Sequence, residues 1–178
     1  MRGTSMAPAQ RWDADEAVTQ LYAAHYPSLV RLASLLVRHS GEAEEIVQDA
    51  FVAMHGRWRR LREPDKALGY LRRTVVNRAR SSQRHHNVAD KHLHEARSDS
   101  DRVAPSAEHS TLDAETRASM MSALDRLPQR QREVLVLRYY SDLTEHDIAE
   151  TLGISRGAVK SHASRGLAAL RTLFEENR

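Results

Sequence analysis

Apolar residues in the N-terminal half of the chain recur at three- and four-residue steps, the period of helices that bury one face. Such stripes occupy residues 18–36, 43–58 and 68–79, and we expect Trp58 to lie in the core. Pro27 interrupts the first stripe, so a kink or a division of that helix is expected there. The pattern predicts a bundle of three to four helices.

The C-terminal half shows the same period, with one ambiguous segment. A helix around residues 114–127 is expected to bury Met120, Met121, Leu124 and Leu127. The apolar run at residues 134–137 is compatible with a short strand as well as with a helix. Its flanks lack the alternation of a strand, so the sequence predicts a helix.

Residues 143–170 carry the turn and cap signals of two short, successive helices. Thr144 and Asp147 have the spacing of a capping box, Gly153 suits a tight turn, and Ser155 suits the N-cap of the next helix. The second helix is expected to bury Val159, Ala163, Leu167 and Leu170. This order predicts a helix-turn-helix.

Between the two helical parts, residues 87–111 have few large apolar side chains and no sustained period. Such a segment favours a flexible linker. The predicted fold is therefore all-α, with two small helical domains joined by that linker. We expect a disordered tail at residues 1–13, a first domain at 14–86, a linker at 87–114 and a second domain at 115–178.

Composition removes several classes of function. The 178-residue chain has no cysteine, which excludes disulfide scaffolds, thiolate zinc sites and cysteine nucleophiles. No apolar run approaches the roughly 18–20 residues that span a bilayer, and the N-terminus lacks the apolar core of a secretory signal. We therefore expect no membrane insertion and a cytoplasmic location.

The net charge of +3 is weak evidence for a nucleic-acid partner, but its distribution is informative. Residues 57–84 hold ten Lys and Arg against two acids. Within them, four polar residues at steps of four, three and four share one side of a helix, here called the arginine face. Its members are Arg73, Asn77, Arg80 and Arg84. Such a surface can bind single-stranded nucleic acid, although a merely solvated helix face would also carry these residues.

The second helix of the helix-turn-helix has a polar side that is basic, here called the recognition face. Its members are Arg156, Lys160, Ser161, Ser164 and Arg165. No acid occurs between residues 155 and 173. A helix of this kind suits the major groove of DNA, where basic side chains contact phosphates, but an ordinary solvated helix is the alternative.

Three segments together resemble ECF-type (group IV) RNA polymerase sigma factors of the sigma-70 family, and most of all the actinobacterial SigE type. EAEEIVQDAFVAMHGRW is similar to region 2.2, and ALGYLRRTVVNRARSSQRHH resembles regions 2.3–2.4. Residues 124–171 resemble region 4. The resemblance covers residues 14–86 and 115–174, in the order and spacing of the family.

The resemblance implies roles for these surfaces. An acidic face of the second helix would dock on the β′ clamp coiled coil of core RNA polymerase, through Glu42, Glu45, Gln48 and Asp49. Single-stranded DNA of the −10 element would be opened and held by Arg62, Glu63, Lys66, Arg73, Asn77, Arg80 and Arg84. The recognition face would bind the −35 element, and apolar residues near Leu127 and at 134–137 would bind the β flap. Some relatives also bind an anti-sigma factor, and holoenzyme would associate with the nucleoid.

Two other classes of function compete with this interpretation. A repressor or activator could use the same helix-turn-helix without polymerase, but it leaves the acidic face and the arginine face unexplained. An enzyme is the second rival, and the histidine pairs at 85–86 and 92/94 invite a metal hypothesis. They lack a helical pair with ligand spacing, and no phosphate loop or nucleophile elbow occurs, so we expect no catalytic residues, metal or cofactor.

Overall fold

A computed structural model describes residues 14–37, 41–58, 64–93 and 111–176. These residues form α1 (Ala14–Leu36), α2 (Gly41–His55), α3 (Pro64–Leu93), α4 (Thr111–Arg126), α5 (Gln129–Tyr139), α6 (Glu145–Leu152) and α7 (Arg156–Glu176). No strand occurs in the described ranges. The all-α prediction is confirmed, including a helix at residues 134–137.

Helices α1, α2 and α3 pack against one another and form the N-terminal unit. Each buries one apolar stripe, so that Ala33 of α1, Val47 of α2 and Val75 of α3 have no exposed surface. Trp58, just after α2, is 7% exposed, which confirms its expected place in the core. The three stripes of the sequence therefore meet in one bundle.

Pro27 lies inside α1, so the division that was one of the two expected outcomes does not occur. Proline lacks the N–H that would bond to the carbonyl of Ala23, one turn earlier. Both residues are exposed, so water can reach that carbonyl. The hydroxyl of Ser28 donates to the carbonyl of His25 at 2.8 Å, which adds a bond beside the proline. Proline is tolerated inside α1 because the backbone hydrogen bond that it removes lies on the exposed side of the helix.

Helices α4 to α7 form the C-terminal unit, with α5 at its centre. Six consecutive residues of α5, 132–137, are buried. Because successive residues turn a helix by about 100°, six of them cover every side. Helices α6 and α7 cover α5 within its own unit, and α1 covers it from the N-terminal unit.

Two predicted core residues of the C-terminal unit are exposed instead. Leu167 is 43% exposed, whereas Gly166 beside it is buried. At about 100° per residue, Gly166 lies about 20° from Val159 around α7 and Leu167 about 80° away. The glycine therefore occupies the buried position expected for the leucine. Met120 is 42% exposed because it lies a turn before the packed end of α4 at Leu124.

The linker predicted at 87–114 is helical at both ends. Helix α3 continues to Leu93, and α4 begins at Thr111. The sequence of these extensions shows no sustained apolar period, so periodicity alone does not predict them. Residues 94–110 and the predicted tail at 1–13 lie outside the described residues.

The two units contact each other directly. Helix α1 packs on α5, and α3 packs on α6. Buried apolar residues of both units belong to one continuous cluster. The hydroxyl of Tyr140 donates to the carbonyl of Ser28 across this boundary, at 3.1 Å. The arginine face and the helix-turn-helix are therefore held in one body.

Candidate nucleic-acid and polymerase interfaces

The helix-turn-helix begins with the predicted capping box. The backbone N–H of Asp147 donates to the Thr144 hydroxyl at 3.2 Å, and the Thr144 N–H donates to the Asp147 carboxylate at 3.2 Å. The Thr144 hydroxyl also donates to that carboxylate, at 2.6 Å. This donated bond holds the pKa of Asp147 below its usual value. Both caps satisfy N–H groups that the first turn of α6 leaves open.

A sharp turn joins α6 to α7. Gly153 has φ 64° and ψ 40°, a left-handed conformation that glycine adopts without a Cβ clash. The Ser155 hydroxyl then accepts the N–H of Ala158 at 3.1 Å and caps α7. Ile148 and Val159 are fully buried on either side of the turn. The local chemistry predicted for Thr144, Gly153 and Ser155 is present at all three positions.

The recognition face lies on the outside of this motif. Its exposed members are Arg156, Lys160, Ser164 and Arg165, and Ser161 is half-buried. Arg165 donates from Nη2 to the Ser161 hydroxyl at 2.7 Å. The Lys160 ammonium lies 3.8 Å from the carboxylate of Glu145 on α6. Four of the five predicted residues are thus available to a ligand.

The arginine face lies along one side of α3, and two of its members, Arg73 and Arg80, hydrogen-bond to the C-terminal unit while Arg73 stays exposed. Asn77 and Arg84 are exposed, as is Lys66 one turn into α3. Arg73 donates from Nη2 to the backbone carbonyl of Glu150 at 2.9 Å. Arg62 and Glu63 lie outside the described residues.

Arg80 is the member of the arginine face that is most covered, with 17% of its side chain exposed. It donates from Nε and Nη2 to the two carboxylate oxygens of Glu133, at 3.0 and 2.9 Å. Arg130 donates to the same carboxylate at 3.1 Å. Sequence reasoning missed Glu133, because an acid beside an apolar run in α5 carries no signal of a partner 53 positions away.

Two residues of the acidic face are exposed, and the other two are bound to side chains of α3. Glu45 and Gln48 are exposed. Asp49 accepts from Arg78 of α3 at 2.5 Å. Glu42 accepts from the hydroxyl of Ser82, and its carboxylate lies 3.0 Å from His86 Nε2. The tethered carboxylates thereby fix α2 on α3.

Val52 adds an apolar residue to this surface that sequence reasoning did not include. It is 73% exposed, the most exposed of the large apolar residues described. One helical turn separates it from Gln48, so both lie on the same side of α2. An exposed valine beside polar side chains suits a protein partner.

Family models match both units of the chain. The model described as "Sigma-70 region 2" matches residues 21–88, and "Sigma-70, region 4" matches residues 123–172. The chain belongs to the sigma-70 family of RNA polymerase sigma factors. Region 2 thus carries the acidic and arginine faces, and region 4 carries the helix-turn-helix.

Curated relatives agree with this sigma-70 assignment. The chain is 34% identical over 154 residues to the RNA polymerase sigma-E factor of Streptomyces avermitilis, covering 83% of this chain and 79% of that protein. It is 33% identical over 162 residues to the ECF RNA polymerase sigma factor SigM of Mycobacterium tuberculosis, covering 89% and 77%. The resemblance to ECF sigma factors, and to the sigma-E type, is confirmed.

Two solved sigma-factor structures share the fold. One is RpoE from Bartonella quintana, solved with the anti-sigma factor NepR, with a TM-score of 0.74, 24% identity and coverage of 90% of this chain and 98% of that one. The other is CnrH in complex with the cytosolic domain of CnrY, with a TM-score of 0.65, 24% identity and coverage of 93% and 96%. Both support an all-α sigma fold with two units.

No group of three or more His, Asp or Glu side chains is placed to hold a metal among the described residues. Of the helices in this part of the chain, none is both long and apolar enough to cross a bilayer. A cavity of about 210 Å³ lies between the units, where Leu29, Leu32, Arg72 and Tyr140 contribute to its walls.

Proposed function

We propose that this chain is a sigma factor that binds core RNA polymerase and directs promoter-specific transcription initiation. The observation that carries the proposal is a capped helix-turn-helix with an exposed basic helix, in a chain whose other unit matches sigma-70 region 2. The protein would act by binding, with no catalytic residues, metal or cofactor of its own. Its location would be cytoplasmic, and nucleoid-associated within holoenzyme.

The recognition face would bind the −35 element in the major groove. Arg156, Lys160 and Arg165 supply positive charge for phosphates, and Ser161 and Ser164 supply hydroxyl groups for base edges or phosphates. Because Glu145 holds Lys160 at 3.8 Å in the free chain, that lysine would exchange one anionic partner for another on binding. DNA affinity would fall steeply with added salt.

The −10 element would be bound as a single strand on α3. The arginine face supplies guanidinium groups for phosphates, and we assign Arg62, Glu63 and Lys66 to the same site. Extrusion of a promoter base costs a few kcal/mol, which stacking and hydrogen bonds at this site would have to offset.

The acidic face would dock on the β′ clamp coiled coil. Glu45 and Gln48 are exposed and would contact it first, while Glu42 and Asp49 are already bound to α3. The β flap would bind the apolar helices that begin region 4. An anti-sigma factor belongs among the candidate partners, because the Bartonella relative was solved with one.

Binding to core polymerase separates this proposal from a repressor or activator that uses only the helix-turn-helix. Purified chain should co-elute with core RNA polymerase from an actinobacterium and permit run-off transcription from promoter fragments that the holoenzyme selects. Glu45→Lys should weaken that binding, whereas Glu115→Lys, the same reversal on exposed α4, should not. Failure of the wild-type chain to bind core enzyme would refute the proposed function.

Substitution of single basic residues tests the proposed DNA-binding surface. Lys160→Ala and Arg165→Ala should each reduce transcription from a −35-dependent promoter and lower the salt slope of DNA binding by about one. Core binding should persist in both. Arg117→Ala removes the same charge from α4 and serves as the control. Loss of core binding in place of DNA binding would show that the recognition face is misassigned.

A further inference from the structure

The cavity of about 210 Å³ lies where α1 and α3 meet the segment that joins α5 to α6. Part of its wall is apolar and part is polar. Leu29, Leu32 and Leu68 form the apolar part, and the first two belong to the buried core. Ser28 and Tyr140 line the same cavity and are exposed, so a solute can enter it from solvent.

Arg72 adds a positive charge to this wall. It is half-buried, and within the described part of the chain its guanidinium has neither a hydrogen-bond partner nor an ion pair. Burial lowers the pKa of Arg72, while the charge of Asp147 acts in the opposite direction. That carboxylate already accepts from the Thr144 hydroxyl at 2.6 Å. Because a cation that loses water without gaining a bonded partner is costly, Arg72 favours an anion in the cavity.

The other polar groups of the wall agree with an anionic ligand. The Tyr140 hydroxyl donates to the carbonyl of Ser28, and the Ser28 hydroxyl donates to the carbonyl of His25. The Ser141 hydroxyl has no such acceptor among the described residues, so it can donate to a ligand. Burial raises the pKa of Tyr140 and the charge of Arg31 opposes that rise, which places a second cation nearby. No acidic side chain is among the described residues that line the cavity.

The volume of the cavity sets the size of the ligand. An apolar cavity of about 150 Å³ holds a benzene molecule. A volume of about 210 Å³ therefore accommodates a ring of that size together with a carboxylate. It is smaller than the roughly 300–1,000 Å³ of pockets that hold drug-sized ligands. A guanidinium binds both oxygens of a carboxylate in a bidentate manner, and leucine side chains cover an apolar body.

We propose that this cavity is a binding site for a small organic carboxylate with an apolar body, with Arg72 and Ser141 bound to the carboxylate and the three leucines packed on the body. One ligand would then contact α1, α3 and the segment that leads into the helix-turn-helix. The inference does not depend on the proposed function, because neither polymerase nor DNA contributes to the cavity.

Benzoate is the probe, because its ring and its carboxylate match the two parts of the wall. Proton–nitrogen correlation spectra of the full chain, at constant sodium chloride concentration, locate the site and give the affinity. Benzoate should shift the amide signals of Leu68, Tyr140 and Ser141 in a saturable manner. Benzamide keeps the shape and lacks the charge, so its affinity should be at least about tenfold lower. Inorganic phosphate has charge without an apolar body and should also bind more weakly than benzoate.

Arg72→Gln tests the charge, because it removes the guanidinium and keeps a polar side chain. Its affinity for benzoate should fall at least about tenfold, as expected for loss of a charge-assisted hydrogen bond. Arg117→Gln removes the same charge from an exposed position on α4 and should leave the affinity unchanged. Leu68→Trp enlarges the apolar wall and keeps Arg72, so it should weaken the binding of benzoate but not that of phosphate.

No saturable shift at Leu68, Tyr140 and Ser141 up to the solubility limit of sodium benzoate would overturn the proposal. Equal affinities for benzoate and benzamide, phosphate binding as tight as benzoate binding, or unchanged benzoate affinity in Arg72→Gln would overturn it as well. Should Arg72→Gln fail to fold by circular dichroism, Leu68→Trp decides, and wild-type benzoate affinity in that variant would overturn the proposal. Binding to core polymerase is measured separately, so each of these results leaves the proposed function standing.

Discussion

Helices α5 and α7 approach each other closely at Gly166, and Gly166→Ala gives a prediction of definite sign. A Cβ at this position would lie 2.9 Å from Cδ1 of Leu135, 3.2 Å from its Cγ and 3.3 Å from Cβ of Gln131. Favourable carbon contacts lie near 3.5–4.0 Å, and Leu135 is only 3% exposed, so its side chain has little room to move. The methyl group would overpack this contact.

Two opposing effects set the size of the stability change in Gly166→Ala. Overpacking of a core costs about 1–3 kcal/mol. Replacing a helical glycine by alanine returns about 0.8–1 kcal/mol of helix propensity. We expect Gly166→Ala to lower the free energy of unfolding by about 1 kcal/mol, which corresponds to a fall in Tm of about 2–4 °C for a chain of this size.

Gly69→Ala is the matched control, because Gly69 is an exposed helical glycine whose added Cβ would meet nothing within 4 Å. It should gain the propensity alone, about 0.8–1 kcal/mol. Urea unfolding followed by circular dichroism at 222 nm measures both variants. Stabilisation of Gly166→Ala to the same extent as Gly69→Ala would refute the inference that α5 and α7 meet tightly at this residue.

Three further substitutions test the caps and a buried bond by the same urea assay. Thr144→Ala removes the N-cap of α6 and should cost about 1 kcal/mol; an unchanged midpoint would contradict its role. The lowered pKa of Asp147 stabilises the fold above the ordinary carboxyl pKa, and this contribution disappears as the pH falls through the lowered value. Asp147→Asn should therefore lose less stability than the wild type upon acidification, and parallel profiles would argue against the cap. The buried Gln83 amide donates to the Leu36 carbonyl at the end of α1, so Gln83→Leu should cost about 1–3 kcal/mol. A neutral effect would show that water replaces the amide.

The parts of the structure that depend on neighbours in sequence were predictable. Thr144, Gly153 and Ser155 act through backbone groups within a few residues, so their roles can be predicted from the local sequence. The helix at 134–137 was likewise predictable, because its flanks ruled out strand alternation. The polar faces of α2, α3 and α7 followed from spacing alone.

What depends on distant parts of the chain was not predictable. The pairing of Arg80 with Glu133 joins positions 53 residues apart, and helical period reports which residues share a face but not what covers it. The predicted burial of Leu167 was wrong for a related reason. The helical period is compatible with Leu167 in the buried stripe, but that stripe passes through Gly166 instead. Hydrophobicity favours the leucine there, and only packing against Leu135 requires the glycine.

The burial of α5 on every side has a consequence for cooperativity. Backbone amides at the centre of α5, such as those of Val136 and Leu137, are shielded by helices from both units. Their hydrogen exchange should therefore follow separation of the units or global unfolding rather than fraying of one helix. Amide exchange along this single helix would give the free energy of whichever of these two events costs less.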